Sequence, residues 1–170
     1  FLIVVLMEMF FSTSSYKYGD EEALQKVRIR AMNDFVRNLD TDIHRATYIA
    51  AFRTLLSLED YVATNGQYLT DINSSFRETF FYGTVNNTHS FIMENSSFSE
   101  YLSRVQELGQ SAGITLNINV TDISMTQPDP WTVNVYVLMN ITIRDNKNTA
   151  SWNIYKEYIT NMPIYNLRDP

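Results

Sequence analysis

The chain opens with a block that has no polar face. Phe1, Leu2, Ile3, Val4, Val5, Leu6, Met7, Met9, Phe10 and Phe11 surround one carboxylate, Glu8, before Ser12 to Ser15 begin the polar sequence. That block is about half of the roughly 20 apolar residues a helix needs to cross hydrocarbon. It therefore reads as the end of a membrane helix or as a stem that packs against other stems. From Asp20 the apolar positions take a helical period. Leu24, Val27, Ala31, Phe35, Leu39, Ile43, Ala46, Ile49 or Ala50, Phe52 or Arg53, and Leu56 recur every three or four residues. Asp20 suits an N-cap, Glu21 and Glu22 suit the positive end of the helix dipole, and Asn65-Gly66 suits a stop. A helix of roughly 45 residues would be about 67 Å long, so part of it must protrude from a domain of this size. Glu22 with Lys26, Asp34 with Arg37 and Asp42 with Arg45 are expected as ion pairs on its solvated face.

Two shorter helices are expected next, each opened by a capping-box pattern. Ser75 with Glu78 precedes Phe80 and Phe81, and Ser97 with Glu100 precedes Tyr101, Leu102, Val105 and Leu108. Gly83 ends the first and Gly109 or Gly113 the second, while Thr84 to Ser90 reads as an exposed loop. After Gly113 the period drops to two. Leu116, Ile118 and Val120 alternate with polar residues, and Ile123 and Met125 resume out of phase, which predicts a bulge near Thr121 and Asp122. Pro128-Asp129-Pro130 predicts a turn into a second strand, where Trp131, Val133, Val135, Val137, Met139, Ile141 and Ile143 share one phase. Asp145 to Asn148 predicts a hairpin turn. The third strand, Ala150 to Ile164, puts Trp152, Ile154, Tyr158, Met162 and Ile164 in phase, with Lys156 interrupting.

A sheet with one apolar face needs a cover, and the long helix offers a stripe of the required length. The expected fold class is α+β: a long N-terminal α-helix packed on a C-terminal three-stranded antiparallel β-meander, with two short helices between. The expected division is a hydrophobic membrane or filament stem over residues 1–19 and an extracytoplasmic domain over residues 20–170, including the long helix over 20–65.

Composition narrows the function classes. At 170 residues the chain holds one core plus an appendage. Its 45% apolar and 14% aromatic content excludes the disordered class. With net charge −6 and 13 scattered Lys and Arg residues, no basic stripe exists to neutralise phosphates, so nucleic acid is not an expected partner. The absence of cysteine excludes disulfides, thiolate metal sites and thiol nucleophiles without fixing the compartment.

Candidate chemistry is sparse. His44 falls in mid-helix and His89 in a polar loop, neither with a partner histidine at ligand spacing, so no metal site is expected. Asp40 with Asp42, or Glu59 with Asp60, would serve as an acid and base only in a pocket that drives their pKa values apart. No GxSxG elbow, P-loop or GxGxxG run occurs, and five glycines leave little for a phosphate-cradling loop. The expectation is a protein without enzymatic activity and without a cofactor. Asn-X-Ser/Thr acceptor patterns stand at Asn73, Asn86, Asn95, Asn119 and Asn140, in loops, at helix starts or on the polar phase of strands. Asn119 and Asn140 lie opposite the apolar phases of their strands, where a glycan would leave the core undisturbed. Glu8 needs a reason, because a carboxylate in lipid or in an apolar bundle costs several kcal/mol unless paired or protonated. It either reaches water at the membrane interface or meets a cation of a neighbouring subunit and fixes the stagger of the stems.

An apolar stem that starts at Phe1 and contains one glutamate, an amphipathic helix after it, and an antiparallel sheet packed on that helix together resemble type IV pilins and pseudopilins. In that family a peptidase cuts just before the stem, and the stems bundle into a filament with globular domains outward. The family's glutamate lies five residues into the mature chain, where this sequence has Val5, and its stem runs about twice as long. The acceptor patterns and the missing cysteines look more like archaeal surface proteins than bacterial pilins. The stretch from Arg30 to Tyr61, with Trp131, Ala150-Ser151-Trp152 and Asp169-Pro170, is also similar to archaeal proteins with one N-terminal membrane segment, which implies a chain continuing past Pro170.

These features predict a glycosylated structural subunit of a surface filament or membrane-anchored assembly. Its expected partners are further copies of itself, related pilin-like subunits and, through residues 1–11, membrane lipid. Phe1 is either a processed terminus or the edge of a longer chain. A different class is an extracytoplasmic sensor, whose sheet and helices would enclose a small ligand. A third is an adhesion module that uses exposed aromatics such as Tyr16, Tyr18 and Tyr82.

Overall fold

The computed structural model describes residues 21–147 and 150–165. The stem from Phe1 to Phe11 with Glu8, the Asp20 cap, and Tyr16 and Tyr18 lie outside them. The fold is α+β. Helix α1 (Glu21–Asn65) is followed by α2 (Ile72–Tyr82), a two-residue hairpin of β1 (Thr84–Val85) and β2 (Thr88–His89), a 3₁₀ turn (Phe91–Met93) and α3 (Phe98–Ser111). Then come the strands β3 (Ile114–Asp129), β4 (Thr132–Asp145) and β5 (Ser151–Pro163), an antiparallel sheet in the order β3-β4-β5.

Local chemistry explains most boundaries. Helix α1 stops at Gly66, whose φ of 64° suits a residue without Cβ and whose N–H donates to the Val62 carbonyl at 2.9 Å. Helix α2 begins earlier than the Ser75 pattern predicts. Asp71 is the N-cap, accepting from the amides of Asn73 and Ser74, while Ser75 is buried inside the helix. A carboxylate cap also complements the helix dipole, and it comes four residues before Ser75. Glu78 instead reaches forward, accepting from Thr84 Oγ1 and the Asn87 amide, both at 2.7 Å. The loop from Thr84 is a tight hairpin because Asn86 and Asn87 hold φ of 50° and 62°, the pair of positive angles that a type I′ turn requires. The Ser97/Glu100 capping box forms as expected, and α3 ends at Ala112 before Gly113 rather than at Gly109.

The bulge falls between Val120 and Asp122, as the phase change predicts. Past it, β3 runs through Pro128 to Asp129, so the turn sits at Pro130-Trp131 and the Trp131 side chain is exposed. Ile114, Leu116, Ile118 and Ile123 join Val133, Val135, Val137, Met139, Ile141 and Ile143 on one buried face. The cover is shared, with α1 packing over β5 and α3 over β3. Met32, Phe35, Leu39 and Ile43 supply the first half of the α1 contribution. Between the helices, Phe76, Phe80, Phe98 and Tyr101 form a run of rings with successive centroids 5.9, 4.9 and 5.6 Å apart.

The expected stripe on α1 resolves in its second half to the Ala50 and Arg53 alternatives. Ile49 and Phe52 are exposed, Leu56 is half-buried, and the buried line is Thr47, Ala50, Ala51, Thr54, Ser57 and Leu58. Small residues let the 3₁₀ turn come close: Thr54 Oγ1 lies 3.9 Å from Met93 Sδ, and Ser57 Oγ donates to Ser90 Oγ at 2.6 Å. Thr47 and Thr54 return their hydroxyls to the Ile43 and Ala50 carbonyls at 2.8 Å, so their burial leaves no orphan donor.

One ion pair pins the sheet to the start of α1. Asp145, 1% exposed at the end of β4, accepts from Arg28, whose Nε lies 2.8 Å away and whose Nη2 donates to the same oxygen. Arg77 and Asp122, by contrast, pair at 3.2 Å in solvent. Removing one partner of a buried pair leaves a charge in a poor solvent, whereas an exposed pair contributes little. Arg28→Ala is therefore expected to lower unfolding free energy by about 3 kcal/mol, and Arg77→Ala by about 1 kcal/mol or less, read from urea titrations.

Candidate functional site

Three features of the described residues bear on function: the polar lock between α1 and β5, two clefts around α2, and the asparagines that carry the acceptor patterns. The lock explains Lys156. That residue stands in the inward phase of β5, so its ammonium needs a carboxylate on the covering helix. Asp40 provides it: Lys156 Nζ donates to Asp40 Oδ1 at 2.6 Å and the Tyr158 hydroxyl donates to the same oxygen at 2.8 Å. The ammonium also sits 4.9 Å from the centre of the Tyr158 ring, and exposed His44 meets that ring edge-on at 4.9 Å. Two residues along α1, the Tyr101 hydroxyl donates to Asp42 at 3.3 Å.

The electrostatics of this cluster point away from proton-transfer chemistry. Burial of Asp40 works to raise its pKa, but the hydrogen bonds from Lys156 and Tyr158, together with the Lys156 charge, outweigh it and hold the carboxyl below its ordinary range. Burial pushes the Tyr158 phenol up, and the hydrogen bond to Asp40 adds to that; burial and the nearby Asp42 do the same for Tyr101. A general acid or base works best with a pKa near the working pH. Here the carboxylate and the phenols are each displaced in the opposite sense, so the set fixes ionisation states as a structural lock does. The sequence pairing of Asp40 with Asp42 dissolves, since the two carboxylates hold different partners.

The smaller cleft, about 250 Å³, lies between the end of α1 and α2 and is lined by Tyr61, Tyr68, Asp71, Ser74, Glu78 and Asn86 among others. The larger and shallower one, about 500 Å³, runs between α2 and the β3 bulge, with Arg77, Phe81, Tyr82 and Asp122 on its walls. Arg77 closes one side by donating from Nε to the Ile123 carbonyl at 2.5 Å. Both clefts flank α2. The space between α1 and the sheet is filled by core side chains. Among the described residues no group of three His, Asp or Glu side chains is placed to hold a metal ion.

Asn73, Asn86, Asn95 and Asn119 are exposed. Asn73 is in the first turn of α2, Asn86 donates from Nδ2 to the Tyr61 hydroxyl at 2.8 Å, and Asn95, with φ of 56°, accepts at its carbonyl from Arg104. Asn119 and Asn140 are register partners across β3 and β4 on the outer face of the sheet. Asn140 is half-buried on the central strand, and its Oδ1 meets no hydrogen-bond partner among the described residues. Tyr82 is exposed, and His89 projects from β2 into solvent. Among the described residues no helix is long and apolar enough to cross a membrane.

No protein-family model matches the chain. Neither the curated proteins nor the solved structures include a significant match.

The Asp40 lock makes stability depend on pH with a definite sign. A carboxyl whose folded pKa lies below its unfolded value, ordinarily 3.8, adds stability that is present above that value and lost as pH falls through the folded one. Between about pH 5 and about pH 2 the urea midpoint of the wild type should therefore fall more steeply than that of Asp40→Asn. Parallel slopes would sink the assignment.

Proposed function

We propose that this chain is a non-enzymatic structural subunit of an extracellular pilus-like filament or membrane-anchored surface assembly, self-associating through the apolar segment from Phe1 to Phe11. The observation that supports this reading is the overhang of α1. The helix runs from Glu21, and of the side chains described from Gln25 onward the first buried apolar one is Met32, about 10 Å further along. Val27 and Ile29 are exposed in the turns before Met32, and Arg28 between them ties that stretch to the sheet through Asp145. A domain fixed to a projecting helix in this way suits display at the end of a stem. The Asp40 and Tyr158 lock supports a structural role, since it holds charge states fixed instead of exchanging protons.

The outward domain is proposed to carry N-linked glycans. Asn73, Asn86, Asn95 and Asn119 offer exposed amides, whereas Asn140 is half-buried beside Asn119, at the roughly 5 Å separation of paired strand residues. One glycan on that pair obstructs a second. Material from the native host is expected to exceed the polypeptide mass by glycan increments, with Asn140 the least occupied site in glycopeptide maps. A native mass equal to the bare chain would falsify this part of the proposal.

For the stem, wild-type protein freed of detergent is expected to float with liposomes or to sediment as large assemblies. Val4→Asp combined with Val5→Asp should abolish flotation and large assemblies with an unchanged circular dichroism spectrum. Wild-type protein that stays monomeric and fails to float rules the stem reading out.

A further inference from the structure

The second half of α1 is apolar on the side turned away from the core. Tyr48, Ile49 and Phe52 are 42%, 55% and 36% exposed, while the buried line opposite is mostly small residues. Tyr48 and Phe52 lie with ring planes 1° apart and centroids 6.5 Å apart, as a parallel aromatic pair. Leu55 and Leu56 continue it, half-buried, toward the C-terminal end. With about 3.6 residues per turn, Arg45, Tyr48, Phe52, Leu56 and Glu59 share this face. Of these apolar side chains, only Leu55 packs against the described core.

Its charges identify an occupant. Arg45 comes seven residues before Phe52 and Glu59 seven after it, so the face carries opposite signs at equal distances from its aromatic centre. Two copies crossed antiparallel about Phe52 set Phe52 on Phe52, Tyr48 on Leu56, Ile49 on Leu55, and Arg45 on Glu59 at both ends. His44 then faces Asp60 along the flank. A parallel pair in register keeps the apolar contacts but opposes Arg45 to Arg45 and Glu59 to Glu59. A parallel pair staggered by about 21 Å joins the charges but pulls the aromatic patches apart. The antiparallel arrangement alone satisfies both the apolar and the charged positions. We propose that the outer face of α1 is a self-association surface that pairs antiparallel with α1 of a second copy of this chain.

Such a seam is short. One helix face covers less than the roughly 1,200 Å² that marks a standard interface, so the contact is weak and concentration-dependent. It also has a direction. The two helix N-termini run to opposite ends, so chains anchored by their stems would meet through this face from opposed surfaces or adjacent filaments, whereas stem association joins neighbours on one surface. The seam therefore goes beyond the stem reading and does not depend on it.

The absence of cysteine permits a direct test on the full chain in mild detergent. Under mild oxidation, Phe52→Cys is expected to form disulfide dimers with itself. Arg45→Cys mixed with Glu59→Cys should cross-link far more than either variant alone. In sedimentation, Arg45→Glu and Glu59→Arg should each weaken the dimer about tenfold, as like charges meet across the seam. Their combination in one chain should restore it, because both pairs are reversed together. Circular dichroism checks that each surface variant remains folded. A monomer at every concentration, a double variant no better than the singles, or Arg45→Cys coupling mainly to itself would each overturn the seam. Loss of the mixed cross-link with flotation intact defeats the seam and leaves the stem reading standing; retention of the cross-link by a protein that neither floats nor assembles does the reverse.

Discussion

The fold depends on covering one face of a three-stranded sheet. Antiparallel strands with alternating polarity expose a continuous apolar surface on one side, and leaving it wet would offset the gain from strand pairing. Nearly every helix feature follows from that need. α3 is amphipathic because it caps the β3 side through Leu102 and Val105, and α1 brings Met32, Phe35, Leu39 and Ile43 over the β5 side. The outer face of the sheet can stay polar, with Asn117, Asn119 and Thr142 in solvent or half-buried, because no second layer presses on it among the described residues.

Apolar burial is not directional, so it does not choose how the helix slides along the sheet. Polar pins do. Arg28 with Asp145 and Asp40 with Lys156 and Tyr158 lie 12 residues apart on α1, about 18 Å, and bind the end of β4 and the middle of β5. Displacing the helix by one turn would leave Asp145 buried beside no guanidinium and Lys156 without its carboxylate. At buried Asp145 a charge stripped of its partner costs more than the pair contributes, so that contact selects one register more than it deepens stability, and the half-exposed Asp40 and Lys156 pair adds to the selection more weakly.

Much of this was legible in the sequence, for physical reasons that differ by element. The strands declared themselves because a period of two persists only where one face is buried, and the phase break at Thr121 located the bulge to a residue. The Ser97 capping box was legible because both partners are local. Asp71 displaced the Ser75 reading because two competing caps lay four residues apart and only the docked position of α2 chooses between them. The Asp40 lock was half-legible: Lys156 in the inward phase of β5 demanded an acid on the covering helix. Its identity depends on helix placement, which no local pattern encodes. The same limit hid the Asn119 and Asn140 pairing, since cross-strand register is a property of the sheet.

The least legible feature is the inversion of α1. A stripe of large apolar residues is ordinarily the buried one, and by that rule Ile49 and Phe52 belong inside. They are outside because the neighbour in that half is not the sheet but the 3₁₀ turn and α2, whose backbones come close. Arg53 reaches the Ile92 carbonyl at 3.2 Å and the Ser96 hydroxyl, contacts that a bulky buried line would hold apart. Thr47, Ala50, Thr54 and Ser57 are small enough to permit that approach; the two threonine hydroxyls are satisfied within the helix, and that of Ser57 by Ser90. The core therefore accounts for the small residues but leaves the large ones without a role in folding. Solvation alone would favour polar side chains at Tyr48, Ile49 and Phe52, because exposed aromatic and aliphatic surface does nothing for the folded monomer. The aromatic face is thus what the proposed pairing of α1 with a second copy accounts for and the fold of one chain does not.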